Sequence, residues 1–129
     1  MLLHITSLYA AILGLLLVFL AYKVVVFRRS KMVGMGSNGD KYGELAIRTH
    51  ANATEYVPML LILMAIYEAN SGSGLTLHII GVLAVIARVL HAFGLSRSAG
   101  VSVGRLYGTA LTWIIIMILA ALNIYRYII

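Results

Sequence analysis

Three long apolar stretches limit what this chain can fold into. Spans read at about 2–28, 75–96 and 103–128 each offer the roughly 20 residues that a helix needs to cross a hydrocarbon core of about 30 Å. A fourth, at about 43–70, is mixed. Its apolar part from Val57 to Tyr67 is only about 11 residues, roughly 16 Å long. To cross, it must carry part of the segment from Arg48 to Tyr56 into the bilayer, where a central charge costs about 2.5 to 3.5 kcal/mol on insertion scales. The expected fold is therefore all-α, a single domain of four transmembrane helices spanning 1–129. A hydrophobic content of 62% with 11% charged residues agrees with this class and excludes an ordinary soluble domain.

The mixed stretch organises the rest. In ELAIRTHANATEYVP, Glu44 to Pro58, residues Glu44, Arg48, Asn52, Glu55 and Met59 fall at i, i+4, i+8, i+11 and i+15, a narrow stripe on one helix face. At membrane depth such groups are expected to face protein or water and to pair, Arg48 with Asn52 and Glu55. Two readings stay open on this pattern, a ligand site and a structural ion pair between helices. Pro58 marks where the polar half meets the apolar half and bends the helix, which membrane spans tolerate.

Between the spans lie turn-like segments. The first helix ends in Lys23 and the run Arg28, Arg29, Ser30, Lys31; basic residues after the apolar run oppose a signal peptide, which carries them before it. A glycine-rich loop follows, and Glu44 suits the first turn of helix two. Helix three is apolar except for His78, Arg88 and His91, the last two three residues apart on one face. Helix four opens with Arg105, Tyr107 and Thr109; Trp113 reads as packing or a pocket wall, and Tyr125 and Tyr127 as an interfacial belt. Most basic residues fall in loops one and three, which places both on the cytoplasmic side of the membrane. The net charge of +6 is thus a topology signal, and nucleic acid is not an expected partner. With no cysteine the chain has no disulfide or thiolate of its own, and its histidines lack the spacing of a metal site.

Arg48, Glu55, Arg88, His91 and Arg105 converge on the cytoplasmic half from three helices. Arginines, one carboxylate, an amide and a histidine suit a small zwitterionic ligand rich in carboxylates: the guanidinium forks take carboxylates, Glu55 an ammonium and Asn52 a peptide group. Cationic surroundings also favour a thiolate over a thiol.

These residues carry a resemblance. RTHANATEYVP, Arg48 to Pro58, resembles the helix-two signature of the MAPEG superfamily, the membrane-associated proteins in eicosanoid and glutathione metabolism, of approximate form R-x-x-x-N-x-x-E-Y-x-P; Arg48, Asn52, Glu55, Tyr56 and Pro58 all match. Arg88 and His91 resemble a helix-three R-x-x-[H/Y] motif, and Arg28 and Arg29 stand where members place arginines. The resemblance implies a prokaryotic-type member that assembles as a homotrimer and binds glutathione as co-substrate between subunits. Arg28, Arg48, Asn52, Glu55, Tyr56, Arg88 and His91 would bind it, and Arg105 would act as the catalytic residue by stabilising the thiolate. A lipophilic small-molecule electrophile would arrive from the lipid bilayer, giving a glutathione transferase or peroxidase. Leu95 departs from several members, which place a tyrosine there, and keeps open a binding protein without turnover. A small four-span multidrug exporter is the remaining alternative; such proteins carry a lone carboxylate in the first span, and helix one here has no acid.

Overall fold

A computed structural model describes residues 3–97, 100 and 102–128. The expected start of the first span at residue 2 and part of the third connection, at 98, 99 and 101, lie outside the described residues. All regular structure among them is helical: α1 (His4–Lys31), α2 (Lys41–Ala69), α3 (Gly74–Arg97) and α4 (Val103–Ile128). Three of these, α1, α3 and α4, are long and apolar enough to cross a membrane. The remaining helix, α2, continues through Pro58 and runs about 43 Å at 1.5 Å per residue.

Short connections make sequential helices antiparallel. Helices α2 and α3 form the centre; α1 packs on one side of that pair and α4 on the other, and α1 and α4 do not touch among the described residues. Leu60, Met64, Leu77, Ala84, Ile115 and Leu119 form the apolar core between α2, α3 and α4. The outside is apolar too: Leu15, Val18, Phe19, Ile79, Ile114 and Met117 are exposed. This inverted surface is what lipid as solvent requires.

With little hydrophobic drive between helices in lipid, close approach and polar ties must hold the bundle. A Cβ on Gly94 would lie 2.5 Å from the Arg105 backbone nitrogen, and one on Gly108 would lie 2.7 Å from the Ala87 carbonyl oxygen and the His91 nitrogen. Glycine is thus what lets the α3 and α4 backbones meet. Gly81 likewise receives the Tyr9 ring of α1, whose hydroxyl donates to the His78 carbonyl at 3.0 Å and lies 3.1 Å from His78 Nδ1. Asn123 Nδ2 donates to the carbonyl of Leu63 at 3.0 Å, joining α4 to α2.

The helix ends are closed with carboxylates. Asp40 caps α2, its Oδ1 accepting from Gly43 N–H at 3.0 Å, with Lys31 Nζ 3.3 Å from Oδ2. The Gly43 N–H, helped by Lys31, holds the Asp40 carboxyl below its ordinary value of 3.8. A lowered folded value means that this cap contributes fully above the ordinary one and is lost as pH falls through the lowered one. At the other end α1 has no acid in its first turn. Glu68 of α2 supplies it, accepting from Ile5 N–H at 2.9 Å and Thr6 N–H at 2.8 Å. Glu68→Ala is expected to cost about 1–2 kcal/mol by removing this borrowed N-cap, read as a lower unfolding temperature in detergent; an unchanged midpoint would show that the α1 terminus is held by packing alone.

Candidate functional site

Where α2, α3 and α4 meet, a full positive charge is buried. Arg88 is 1% exposed. Its Nη2 donates to Asn52 Oδ1 at 2.7 Å, its Nη1 to Thr112 Oγ1 at 3.5 Å, and its guanidinium carbon lies 5.5 Å from the Tyr56 ring centroid. The Thr112 hydroxyl donates to the Gly108 carbonyl at 2.7 Å. The Tyr56 hydroxyl in turn accepts from Trp113 Nε1 at 3.0 Å. One turn along α3, His91 is 2% exposed and its Nδ1 has no hydrogen-bond partner, nor has Arg88 Nε.

Beside this network a cleft of about 200 Å³ opens between α2, α3 and α4, lined by Glu44, Leu45, Arg48, Asn52, His91, Leu95 and Arg105. The glycine contacts described above bring Arg105 onto the His91 face. Ser102 fixes the start of α4 by accepting from the Arg105 backbone N–H at 3.3 Å, an N-cap arrangement. The floor is Asn52 and His91, and the rim carries Arg48 and Arg105 against a single acid, Glu44. A wall of this kind favours an anion that brings several acceptors and at least one positive group.

The structure therefore gathers Arg48, Asn52, His91 and Arg105 in one cleft and ties Asn52, Tyr56 and Arg88 together behind it. Two of the residues expected in the site stand apart. Glu55 is exposed on the α2 surface and does not line the cleft. Arg28 lies on the far side of α2, in a separate cleft of about 270 Å³ shared with Val24, Ile47 and His50, where its Nε is buried without a partner. The expected pairing of Arg48 with Glu55 is not formed. Seven residues are about 10 Å of rise, and the amide of Asn52 is engaged by Arg88 instead.

Sequence reasoning missed three participants. Thr112 sits inside an apolar run and gives no signal there. Glu44 had a sufficient role in the helix dipole, although it opens the same polar stripe as Arg48. Leu45, between them in sequence, carries no chemistry that would mark it. Trp113, expected as packing or a pocket wall, links α4 to α2 through its indole N–H.

Four antiparallel helices with an inverted surface and a basic, amide-floored cleft at one end define a small polytopic α-helical membrane protein with a polar site built from three of its helices. A sequence model of the MAPEG family matches residues 6–125. The inner membrane protein YecN of Escherichia coli strain K12 is 30% identical over 121 residues, 94% of this chain and 91% of that protein, and its counterpart in Escherichia coli O6:H1 strain CFT073 matches equally. The chain belongs to the MAPEG family and is a multi-pass integral inner membrane protein.

The buried guanidinium predicts a specific coupling. Asn52→Leu leaves Arg88 without its shortest hydrogen bond and is expected to destabilise the bundle by about 2–3 kcal/mol. Adding Arg88→Leu should recover part of that loss, because the stranded charge goes with it. Additive losses in a double-mutant cycle of unfolding midpoints would show that the two side chains do not depend on each other.

Proposed function

We propose that this protein binds glutathione at the α2–α3–α4 cleft and transfers it, as a thiolate, to lipophilic electrophiles. One observation carries the reading: Arg48, Asn52, His91 and Arg105, separated by up to 57 residues, line a single cleft at the end of the bundle that bears the basic loops. Arg48 and Arg105 would take the carboxylates of the tripeptide, and Asn52 a peptide group. A guanidinium beside the sulfur lowers the thiol pKa, and Arg105 is the group placed for this. The thiol gives its proton to water at the mouth of the cleft, the thiolate sulfur attacks the electrophilic carbon to form a C–S bond, and the leaving group departs with the electron pair of the bond that breaks. The electrophile would reach the sulfur from the lipid side, past the half-exposed Trp113.

A homotrimer is part of the same proposal. A cleft of about 200 Å³ is smaller than the roughly 300 Å³ at which small-molecule pockets usually begin, so one chain offers part of a wall. Glu55 lies 13 residues, about 20 Å, from Glu68 along α2, at the level of hydrocarbon, and its exposure there calls for protein or water to cover it. Arg28, on the opposite face, reaches the cleft only from a neighbouring copy. A second reading, binding without turnover, is favoured by Leu95, which puts an alkyl group on the cleft wall where a hydroxyl would assist a thiolate.

Conjugation of glutathione to a chlorodinitrobenzene-type acceptor should fall by about 10²-fold in Arg105→Ala if the thiolate depends on it, whereas Arg48→Ala should chiefly weaken glutathione affinity; full activity in Arg105→Ala removes that residue from the role. Glutathione binding by the wild type with no conjugate formed selects the second reading. Co-expressing Arg28→Ala with Arg105→Ala chains tests the assembly. If sites are shared between copies, each variant alone is impaired, about a quarter of the mixed sites regain both arginines and conjugation returns in proportion; full activity of Arg28→Ala on its own places the whole site within one chain.

A further inference from the structure

We propose a second binding site, for an anionic phospholipid of the cytoplasmic leaflet, in the cleft between α1 and α3. It stands independently of the glutathione reading, since it lies across the bundle from the α2–α3–α4 cleft and shares no residue with it. The cleft has a volume of about 330 Å³; Phe19, Leu20 and Val89 are among its apolar walls, and Lys23, Ser96 and Arg97 form its polar end. No acid lines it.

Depth selects the occupant. Lys23 follows Ile5 by 18 residues and Ser96 follows Gly74 by 22, so both lie about 27–33 Å from the opposite helix ends, one hydrocarbon thickness away. The contact of Lys23 Nζ with Ser96 Oγ at 3.4 Å confirms that the two helices reach this level together. The apolar walls below are at acyl-chain depth and open outward, with Phe19 58% and Val89 47% exposed. The Arg97 guanidinium is stacked 3.8 Å from the Phe93 ring centroid, holding it at the mouth of the groove. An ammonium, a guanidinium and a hydroxyl at headgroup level are donors for a phosphate, with apolar walls beneath for one of its chains. Basic pockets between transmembrane helices on the cytoplasmic side hold anionic headgroups by this combination. Free phosphate would leave the apolar length of the groove unused. A second copy set over this groove would bring Arg28, Arg29, Lys31 or Lys41 of the same end against Lys23 and Arg97 with no anion between them, whereas a phosphate supplies the opposite charge, so charge complementarity favours lipid here.

The test uses the full chain in neutral detergent, with native mass spectrometry and thermal unfolding as readouts. Dioleoyl phosphatidylglycerol, dioleoyl phosphatidylcholine and glycerol 3-phosphate serve as probes. The expected result is a retained phosphatidylglycerol adduct and a raised midpoint, weaker retention of phosphatidylcholine, and no competition from glycerol 3-phosphate. Lys23→Gln and Arg97→Gln should each weaken phosphatidylglycerol retention about fivefold. Val89→Trp fills the apolar length on a lipid-exposed face and should reduce retention of both lipids while leaving the cations in place. Equal retention of the two lipids by the wild type overturns the proposal, as does glycerol 3-phosphate competing as well as the lipid, retention unmoved by Val89→Trp, or cross-links from Val89→Cys that place a second copy over the groove.

Discussion

The guanidinium of Arg88 is the constraint from which the rest of the bundle follows. A charge held 1% exposed at membrane depth is tolerable only if its hydrogen bonds are found within the protein. Here the partners are neutral: the amide of Asn52, the hydroxyl of Thr112 and the face of Tyr56. Each comes from a helix other than α3, and that fixes the mutual rotation of α2, α3 and α4. No carboxylate touches the guanidinium among the described residues, and Glu55 acts on it only through space. The cleft beside it adds Arg48 and Arg105.

Satisfying Arg88 costs α2 its apolar character. A helix that turns Asn52 and Tyr56 inward carries Arg48 and Glu55 with them along a neighbouring strip, and its purely apolar part is left too short to cross. The glycine contacts between α3 and α4 belong to the same solution. Thr112 lies four residues after Gly108, and only with the backbones at glycine distance does its hydroxyl reach α3 while still donating to the Gly108 carbonyl. Packing and polar satisfaction are here one geometric problem. At the far end, where no charge is buried, the ties are simpler: Glu68 on the α1 terminus, Asn123 on the Leu63 carbonyl and Arg126 Nη2 on the Ser71 carbonyl at 2.7 Å.

The spans are legible in the sequence as apolar runs of membrane length, and the polar stripe as helical spacing that a helix turns into a face. Arg88 and His91 stand out because they are charged or titratable in an otherwise apolar run. What the sequence does not carry is the identity of cross-helix partners. Thr112 looks like any hydroxyl in a membrane span, and Glu68 looks like the polar end of α2, although it serves α1 more than 60 residues away. The pairing of Arg48 with Glu55 was the natural expectation from one helix in isolation. The structure does not form it: the two side chains are about 10 Å of helix rise apart, and Arg88 from another helix holds the amide between them.

The two clefts flanking α2 have different linings, and this bears on how copies could meet. One carries Arg48, Asn52, His91 and Arg105; the other carries Arg28 and His50 on the opposite side of the helix. Joining the first cleft of one chain to the second of another pairs unlike surfaces. A two-fold axis buries the same patch on both copies, and these clefts lie on opposite sides of α2, so such a contact is head-to-tail and forms a ring where the rotation closes. Membrane topology restricts the choice further, because every copy must keep its basic loops on the same side and the axis must then lie along the bilayer normal. Under the proposed assembly the exposed Glu55, the partnerless Nε of Arg28 and the undersized cleft are the unmatched halves of one interface, and the polar face that leaves α2 too short in apolar residues to cross alone is the face that a neighbouring copy would cover.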